Sequence, residues 1–150
     1  ASIKPIAEVY KLPVASVTSL ETLARNIETE DADTTIVSLI DAKNNQVYAG
    51  FFDNQYNLKE EEYADDINVI LEKASKYNKF VFVGDGAEIH KELIKNKFAG
   101  KEIIFAEINS QSAINTGKLG YKKFLESNLK NADTILPIYL RKSQAERMKK

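Results

Sequence analysis

The chain has 150 residues, no cysteine, no tryptophan and one histidine (His90), and its 21 Lys+Arg nearly balance 22 Asp+Glu for a net charge of −1. Without Cys there is no disulfide framework, zinc ribbon, thiolate nucleophile or iron–sulfur site, and one His cannot build a multi-His metal centre. The near-neutral charge provides no global drive toward nucleic acid, no run of about 20 apolar residues exists to span a membrane, and 43% apolar content suits one folded core.

In chain order, Ile3, Ile6, Ala7 and Tyr10 recur at i, i+3, i+4 and i+7, which predicts a helix at once, with Pro5 in its first turn. The chain opens on Ala1 rather than Met and lacks the basic head and apolar run of a signal peptide. Pro13–Val17 is short and β-like. Thr18-Ser19-Leu20-Glu21 fits a capping box for a helix with Leu20, Leu23, Ala24 and Ile27 inward. Thr35–Asp41 reads as a strand buried on both faces, Lys43-Asn44-Asn45 as a turn, and Gln46–Phe52 as its hairpin partner. Asp53-Asn54-Gln55 makes a second turn into an exposed third strand over Tyr56–Glu61, completing an antiparallel meander.

The period then changes. Ile67, Ile70, Leu71 and Ala74 mark a helix over Asp65–Tyr77, and Phe80–Val83 a buried strand ending in Gly84-Asp85-Gly86. One helix follows, with Ile89, Leu93 and Ile94 inward, stopping near Gly100; Glu102–Ala106 is a fifth strand. Ser110 or Ser112 caps a last long helix, with Ala113, Gly117, Gly120 or Tyr121, and Phe124 predicted inward. Ile135–Leu140, which contains Pro137, reads as an extended segment or edge strand. A meander followed by alternating helices and strands is the order of an α/β, ribonuclease-H-like fold with a mixed sheet.

In that topology Thr35–Asp41 and Phe80–Val83 are parallel neighbours whose carboxyl ends carry Asp41 and Asp85, the place where open α/β sheets bind ligands. One reading is a carboxylate pair for a divalent metal. The other is that Asp41 caps a turn and Asp85 starts a helix, and only two acidic groups can be placed where a nuclease needs three or four. Gly84-Asp85-Gly86 is either a nucleotide-facing turn or ordinary tight-turn chemistry, since no G-x-G-x-x-G or Walker A pattern is present. Ser16, Ser19, Asp85 and His90 make a weak hydrolase constellation without a G-x-S-x-G elbow, and His90 reads as exposed on a helix. Lys59–Glu62 with Asp65 and Asp66 reads as a solvated rim. Arg141–Lys150 holds five basic residues against Glu146, and Arg141, Lys142 and Arg147 are its candidate RNA contacts, with Lys118, Lys122 and Lys123 as a smaller basic cluster. No aromatic residues interleave the tail to support base stacking.

Four stretches carry a resemblance. Pro13-Val14-Ala15-Ser16-Val17-Thr18-Ser19-Leu20-Glu21-Thr22-Leu23-Ala24 resembles the "P-x-x-x-V-S-S-L-E-A-L-A" segment of the TsaB (YeaZ) family. Ile40-Asp41-Ala42-Lys43-Asn44-Asn45-Gln46-Val47-Tyr48 is similar to its "I-D-A-R-x-x-E-V-Y" hairpin, with Gln46 in place of the usual Glu; Gly84-Asp85-Gly86 is similar to its "G-x-G" turn. Leu136–Glu146 resembles its "P-x-Y-L-R-x-x-x-A-E" ending.

The resemblance implies a lobe of the actin-like, sugar-kinase-like superfamily and a non-catalytic paralogue of the TsaD enzyme. Such a subunit acts as scaffold and activator, pairing with a TsaD-type paralogue and working beside a TsaE-type ATPase to install threonylcarbamoyl on adenosine 37 of ANN-decoding tRNAs. A homodimer, indirect contact with tRNA and a cytoplasmic location follow from the same resemblance. The alternatives are a nucleotide- or metal-using enzyme of ribonuclease-H-like fold, or the glycoprotease-like peptidase of older family labels. The family's opening "A-I-D-T-S" strand and "G-P-G-S-F-T-G-x-R" segment do not occur here. The expected organisation is therefore 1–11 as a remnant helix of an N-terminal lobe and 12–150 as the C-terminal lobe with its basic tail. In the family the N-terminal lobe's helices make the partner contact, which marks Ile3, Ile6, Ala7 and Tyr10 as candidate interface. Asp41, Lys43, Asn44, Gly84, Asp85 and Gly86 are expected to be vestigial nucleotide-side turns. No catalytic residue, metal or cofactor is expected in this chain, with ATP bound only in a complete complex.

Overall fold

The computed structural model describes residues 3–136, 138 and 140. Five strands form one sheet in the order β3-β2-β1-β4-β5. β1 (Thr35–Asp41) pairs antiparallel with β2 (Gln46–Phe52) and parallel with β4 (Lys79–Val83), and β5 (Glu102–Phe105) extends the parallel half. This is the ribonuclease-H-like arrangement, with the meander on one side of β1 and the crossover strands on the other.

Strand alternation divides the core in two. Val37, Leu39, Phe51, Phe80 and Phe82 face α3 (Ile67–Ala74), α4 (Asp85–Ile89) and α5 (Lys91–Lys97), where Ile70, Leu71, Ile94 and Phe98 complete the larger cluster. Ile36, Phe52 and Val83 face α2 (Ser19–Ala24), with Leu20, Leu23 and Ala24 opposite. Residues 35–39 of β1 are all buried, as expected for a strand covered on both sides. Ser38 is tolerated there because its hydroxyl donates to Leu20 O at 2.9 Å. α2 begins with the predicted capping box: Thr18 Oγ1 accepts from Glu21 N and Glu21 Oε2 accepts from Thr18 N at 2.7 Å.

Several expectations are corrected. β3 lies at Tyr63–Asp66, not Tyr56–Glu61. Asp53 Oδ1 accepts from both Gln55 N and Asn57 N, Tyr56 takes φ 62°, and the loop rejoins β2 only through a single Phe52–Leu58 bridge. Regular pairing therefore resumes beyond the acidic run, and β3 passes directly into α3 with Asp66 as its cap. The helix expected to run from Gly86 to Gly100 is two helices, because His90 leaves helical geometry (φ −100°). The change of phase leaves Ile89 and Leu93 exposed while Ile94 stays buried. Val14 makes one bridge, to Lys130, in place of a strand over Pro13–Val17. No strand forms over the described part of Ile135–Leu140, and Pro137 and Tyr139 lie outside the described residues.

α6 (Ala113–Leu125) is capped by Ser112, but of its expected inward face only Gly120 turns toward the fold, where an added Cβ would lie 3.8 Å from Ala15 Cβ. Leu119 is its only buried residue, Tyr121 and Phe124 are exposed, and an added Cβ at Gly117 would meet nothing within 4 Å. α1 (Ile3–Val9) stands at the start of the chain and is tied to the far end by Lys4 Nζ donating to Ile135 O at 3.3 Å. No helix among the described residues is long and apolar enough to cross a membrane.

Candidate functional site

Because β1 and β4 are parallel neighbours, with Ser38 level with Val83, their carboxyl ends leave the sheet side by side and bring Asp41 next to Asp85. The contact is backbone to side chain: Asp41 N donates to Asp85 Oδ1 at 3.1 Å. The Asp41 carboxylate turns into its own hairpin, accepting from Lys43 N at 3.0 Å and pairing with Lys43 Nζ at 2.7 Å. The Lys43 hydrogen bond holds the Asp41 carboxyl below its ordinary range, and Asp41 in turn raises Lys43. Each carboxylate is thus engaged by a separate structural bond. Among the described residues no group of three or more His, Cys, Asp or Glu side chains is arranged to hold a metal ion.

Lys43, Asn44 and Asn45 all sit in the left-handed region, at φ 63°, 54° and 58°. Asn accepts this readily; Lys43 is held there by its two bonds to Asp41. The turn therefore presents side chains where a phosphate-gripping hairpin presents glycine backbone. The glycines of the facing turn have an internal reason. Gly84 (φ 107°) lies so close to β1 that a Cβ would stand 2.1 Å from Leu39 O, and at Gly86 one would stand 3.0 Å from Leu39 C. Gly84 N donates to Asn109 Oδ1 at 2.8 Å, while Asn109 Nδ2 donates to Ala106 O. Asn109 was not singled out in the sequence, since its partner lies 25 residues away and no local pattern marks it.

His90 is half-buried at the α4–α5 junction rather than exposed on a helix, and its Nε2 is buried without a hydrogen-bond partner among the described residues. It lies near enough to Asp41 to contribute to that carboxyl's lowered pKa. Ser16 and Ser19 line a separate groove beside α2, and no hydrogen bond joins either to His90 or Asp85.

That groove, about 630 Å³, lies between α2, the β1–β2 hairpin and the chain's end, with Thr18, Leu20, Ile40, Tyr48 and Glu62 among its lining. Thr18 Oγ1 donates to Glu62 Oε1 at 2.5 Å, and burial pushes the Glu62 carboxyl up. Next to it Lys123 Nζ binds both Glu21 oxygens, at 2.7 and 2.9 Å, and Ser16 O at 2.6 Å. Two members of the Lys118, Lys122 and Lys123 cluster are consequently tied to the fold, Lys122 through Gln55 O. The acidic run is not a solvated rim throughout either. Glu60 accepts from Tyr63 and Tyr77 hydroxyls and pairs with Lys76 at 2.6 Å.

On α1 the apolar stripe splits. Ile3, Ile6 and Tyr10 are 73%, 55% and 71% exposed, with Val9 beside them, whereas Ala7 is buried and packs inward. Arg141, Lys142 and Arg147 lie outside the described residues.

The five-stranded order β3-β2-β1-β4-β5 and the joined strand ends define a mixed α/β, ribonuclease-H-like fold. Residues 1–149 match the family model described as TsaD, tRNA N6-adenosine threonylcarbamoyltransferase, and the chain belongs to that family. Its similarity to TsaB (YeaZ) members agrees with the four motifs. The chain is 29% identical, over 95% of its length, to the tRNA threonylcarbamoyladenosine biosynthesis protein TsaB of Bacillus subtilis strain 168, of which it covers 62%. Among solved structures it resembles YeaZ from Pseudomonas aeruginosa (TM-score 0.71, 19% identical, 92% of this chain and 65% of that one). It also resembles a protein with similarity to peptidase YeaZ from Pseudomonas aeruginosa (TM-score 0.68, 19% identical, 93% and 64%). The chain thus spans less than two thirds of each relative.

Proposed function

We propose that this chain serves tRNA threonylcarbamoyladenosine formation as a non-catalytic scaffold and activator, pairing with a TsaD-type enzyme and acting beside a TsaE-type ATPase in the cytoplasm. Within such a protein it corresponds to the C-terminal lobe, 12–150, preceded by a remnant helix of the N-terminal lobe at 1–11. The family match over 1–149 and the TsaB relative support the pathway.

The observation that carries the non-catalytic role is the bonding of the strand-end carboxylates. Asp41 is paired with Lys43 and Asp85 accepts from a backbone N–H, so both carboxylates serve the structure of the turn, which supports a packing role over a chemical one. The Asn44–Asn45 turn and the Gly84 approach to Leu39 O favour packing over nucleotide contact. On this reading the chain alone holds no ATP; the exposed α1 face of Ile3, Ile6 and Tyr10 meets the partner, and tRNA is contacted indirectly.

The test is reconstitution with TsaD- and TsaE-type proteins, reading threonylcarbamoyladenosine in digested tRNA by mass spectrometry. Modification should depend on this chain and persist, within about twofold, in the D41N/D85N variant. Complete loss in a folded D41N/D85N variant would instead establish a metal- or nucleotide-using enzyme.

A further inference from the structure

The sheet face under α2 is only partly covered. The groove of about 630 Å³ beside α2 runs over Leu20, Ile40 and Tyr48, with Leu136 and Ile138 on its far wall. A second hollow of about 420 Å³ adjoins it, and Thr18 and Glu62 line both. Glu62 therefore stands where an apolar trough meets a polar one. Tyr48 is level with Ala64 in the β2–β3 ladder, and Glu62 lies two residues before Ala64, so strand alternation turns Tyr48 and Glu62 to the same side.

Glu62 is the group whose bonding is incomplete. Thr18 Oγ1 donates to its Oε1, but its Oε2 has no hydrogen bond or ion pair among the described residues. The nearby cations do not serve it. Lys123 Nζ is held by both Glu21 oxygens and Ser16 O, Lys4 Nζ donates to Ile135 O, and Lys130 makes no ion pair with it. Glu61 beside it is exposed and likewise unpaired among the described residues. A half-buried carboxylate with an unpaired oxygen is costly to ionise, and a cation brought against it removes that cost. The Tyr48 hydroxyl also lacks a hydrogen bond among the described residues, and its ring adds a surface that attracts cations.

We infer that this groove binds a small organic ammonium ion, its charged head between Glu62, Thr18 and Tyr48 and its apolar body along Leu20 and Ile40. Charge selects the occupant. A neutral apolar molecule leaves the carboxylate desolvated and unpaired, and an anion is repelled by it. Size agrees, since small-molecule sites have volumes of about 300–1,000 Å³, apolar walls and a few convergent polar groups. The groove is not lined by Ile3, Ile6 or Tyr10, so the site is independent of the partner face assigned above.

The probe is phenethylammonium, with phenylethanol and phenylpropionate as its neutral and anionic counterparts. Titrated into the full isotope-labelled chain at pH 7, it should shift the amide NMR signals of Thr18, Ile40, Tyr48 and Glu62 saturably, with a millimolar dissociation constant. Both counterparts should bind at least about tenfold more weakly. E62Q removes the charge and keeps the shape. It should weaken the ammonium about tenfold, the worth of one charge-assisted hydrogen bond, with phenylethanol binding and circular dichroism unchanged. E61Q, at an exposed position, should stay within about twofold of the parent. Phenylethanol binding as tightly as the ammonium, an unaltered affinity in folded E62Q, or no saturable shift at these four amides would each overturn the inference.

Discussion

Three glycines predict three different responses to one substitution, and they test how the strand-end turn is built. At Gly84 the backbone is at φ 107° and ψ 165°, a region that costs an L-residue about 1–3 kcal/mol. Its new Cβ would lie 2.1 Å from Leu39 O, which belongs to the central strand and cannot swing away, adding a further overpacking cost of about 1–3 kcal/mol. G84A should therefore destabilise by roughly 2–6 kcal/mol, a large share of a domain's usual stability of about 5–15 kcal/mol. At Gly100 φ is 88° but the space is open, so G100A should lose only about 1–2 kcal/mol of conformational strain. At Gly117, a solvent-facing position in the middle of α6, G117A should stabilise by about 0.5–1 kcal/mol. Urea unfolding followed by circular dichroism, at dilute protein and with a shared m-value, measures all three. A G84A cost under about 1 kcal/mol, or a G117A variant less stable than the parent, would refute the reasoning.

K123M should cost about 1–2 kcal/mol in the same assay, because it removes the cation from the half-buried Glu21 carboxylate and frees Ser16 O, whereas K43A, which loses only an exposed pair to Asp41, should leave the unfolding midpoint nearly unchanged; a K43A midpoint shift as large as that of K123M would contradict this. Glu62 has a raised pKa in the fold through burial, so it contributes stability at low pH that is lost as pH rises through its folded value. E62Q should therefore raise the melting temperature at pH 7 and leave it nearly unchanged near pH 4; equal shifts at both values would remove the burial argument. Calorimetry with ATP should show no tight binding to the chain alone, and a sub-micromolar dissociation constant would contradict the packing role given to the Asp41–Gln46 and Gly84–Gly86 turns.

Much of the fold was legible where its cause is local. The Thr18–Glu21 capping box, the burial of β1 on both faces, and the side-by-side ends of β1 and β4 follow from adjacent residues and the connection order. The errors came from partners distant in sequence. β3 was displaced because Asp53 captures two backbone N–H groups and forms a loop that composition does not distinguish from a strand. α6 turns most of its apolar stripe outward because Glu21, 102 residues away, draws Lys123 and the polar side inward. His90 interrupts its helix without a Pro or Gly to announce it. At the strand ends, the sequence identified Asp41 and Asp85 as neighbours, but which atoms meet depends on the hairpin, and Asn109 became visible only through its bond to Gly84.

The central claim is that this chain is a partner-binding subunit. Isothermal titration of the purified chain into a TsaD-type enzyme tests it most directly. Saturable binding at one chain per enzyme, lost in I6E, is the predicted result; no heat and no shared sedimenting species with a folded chain would contradict it.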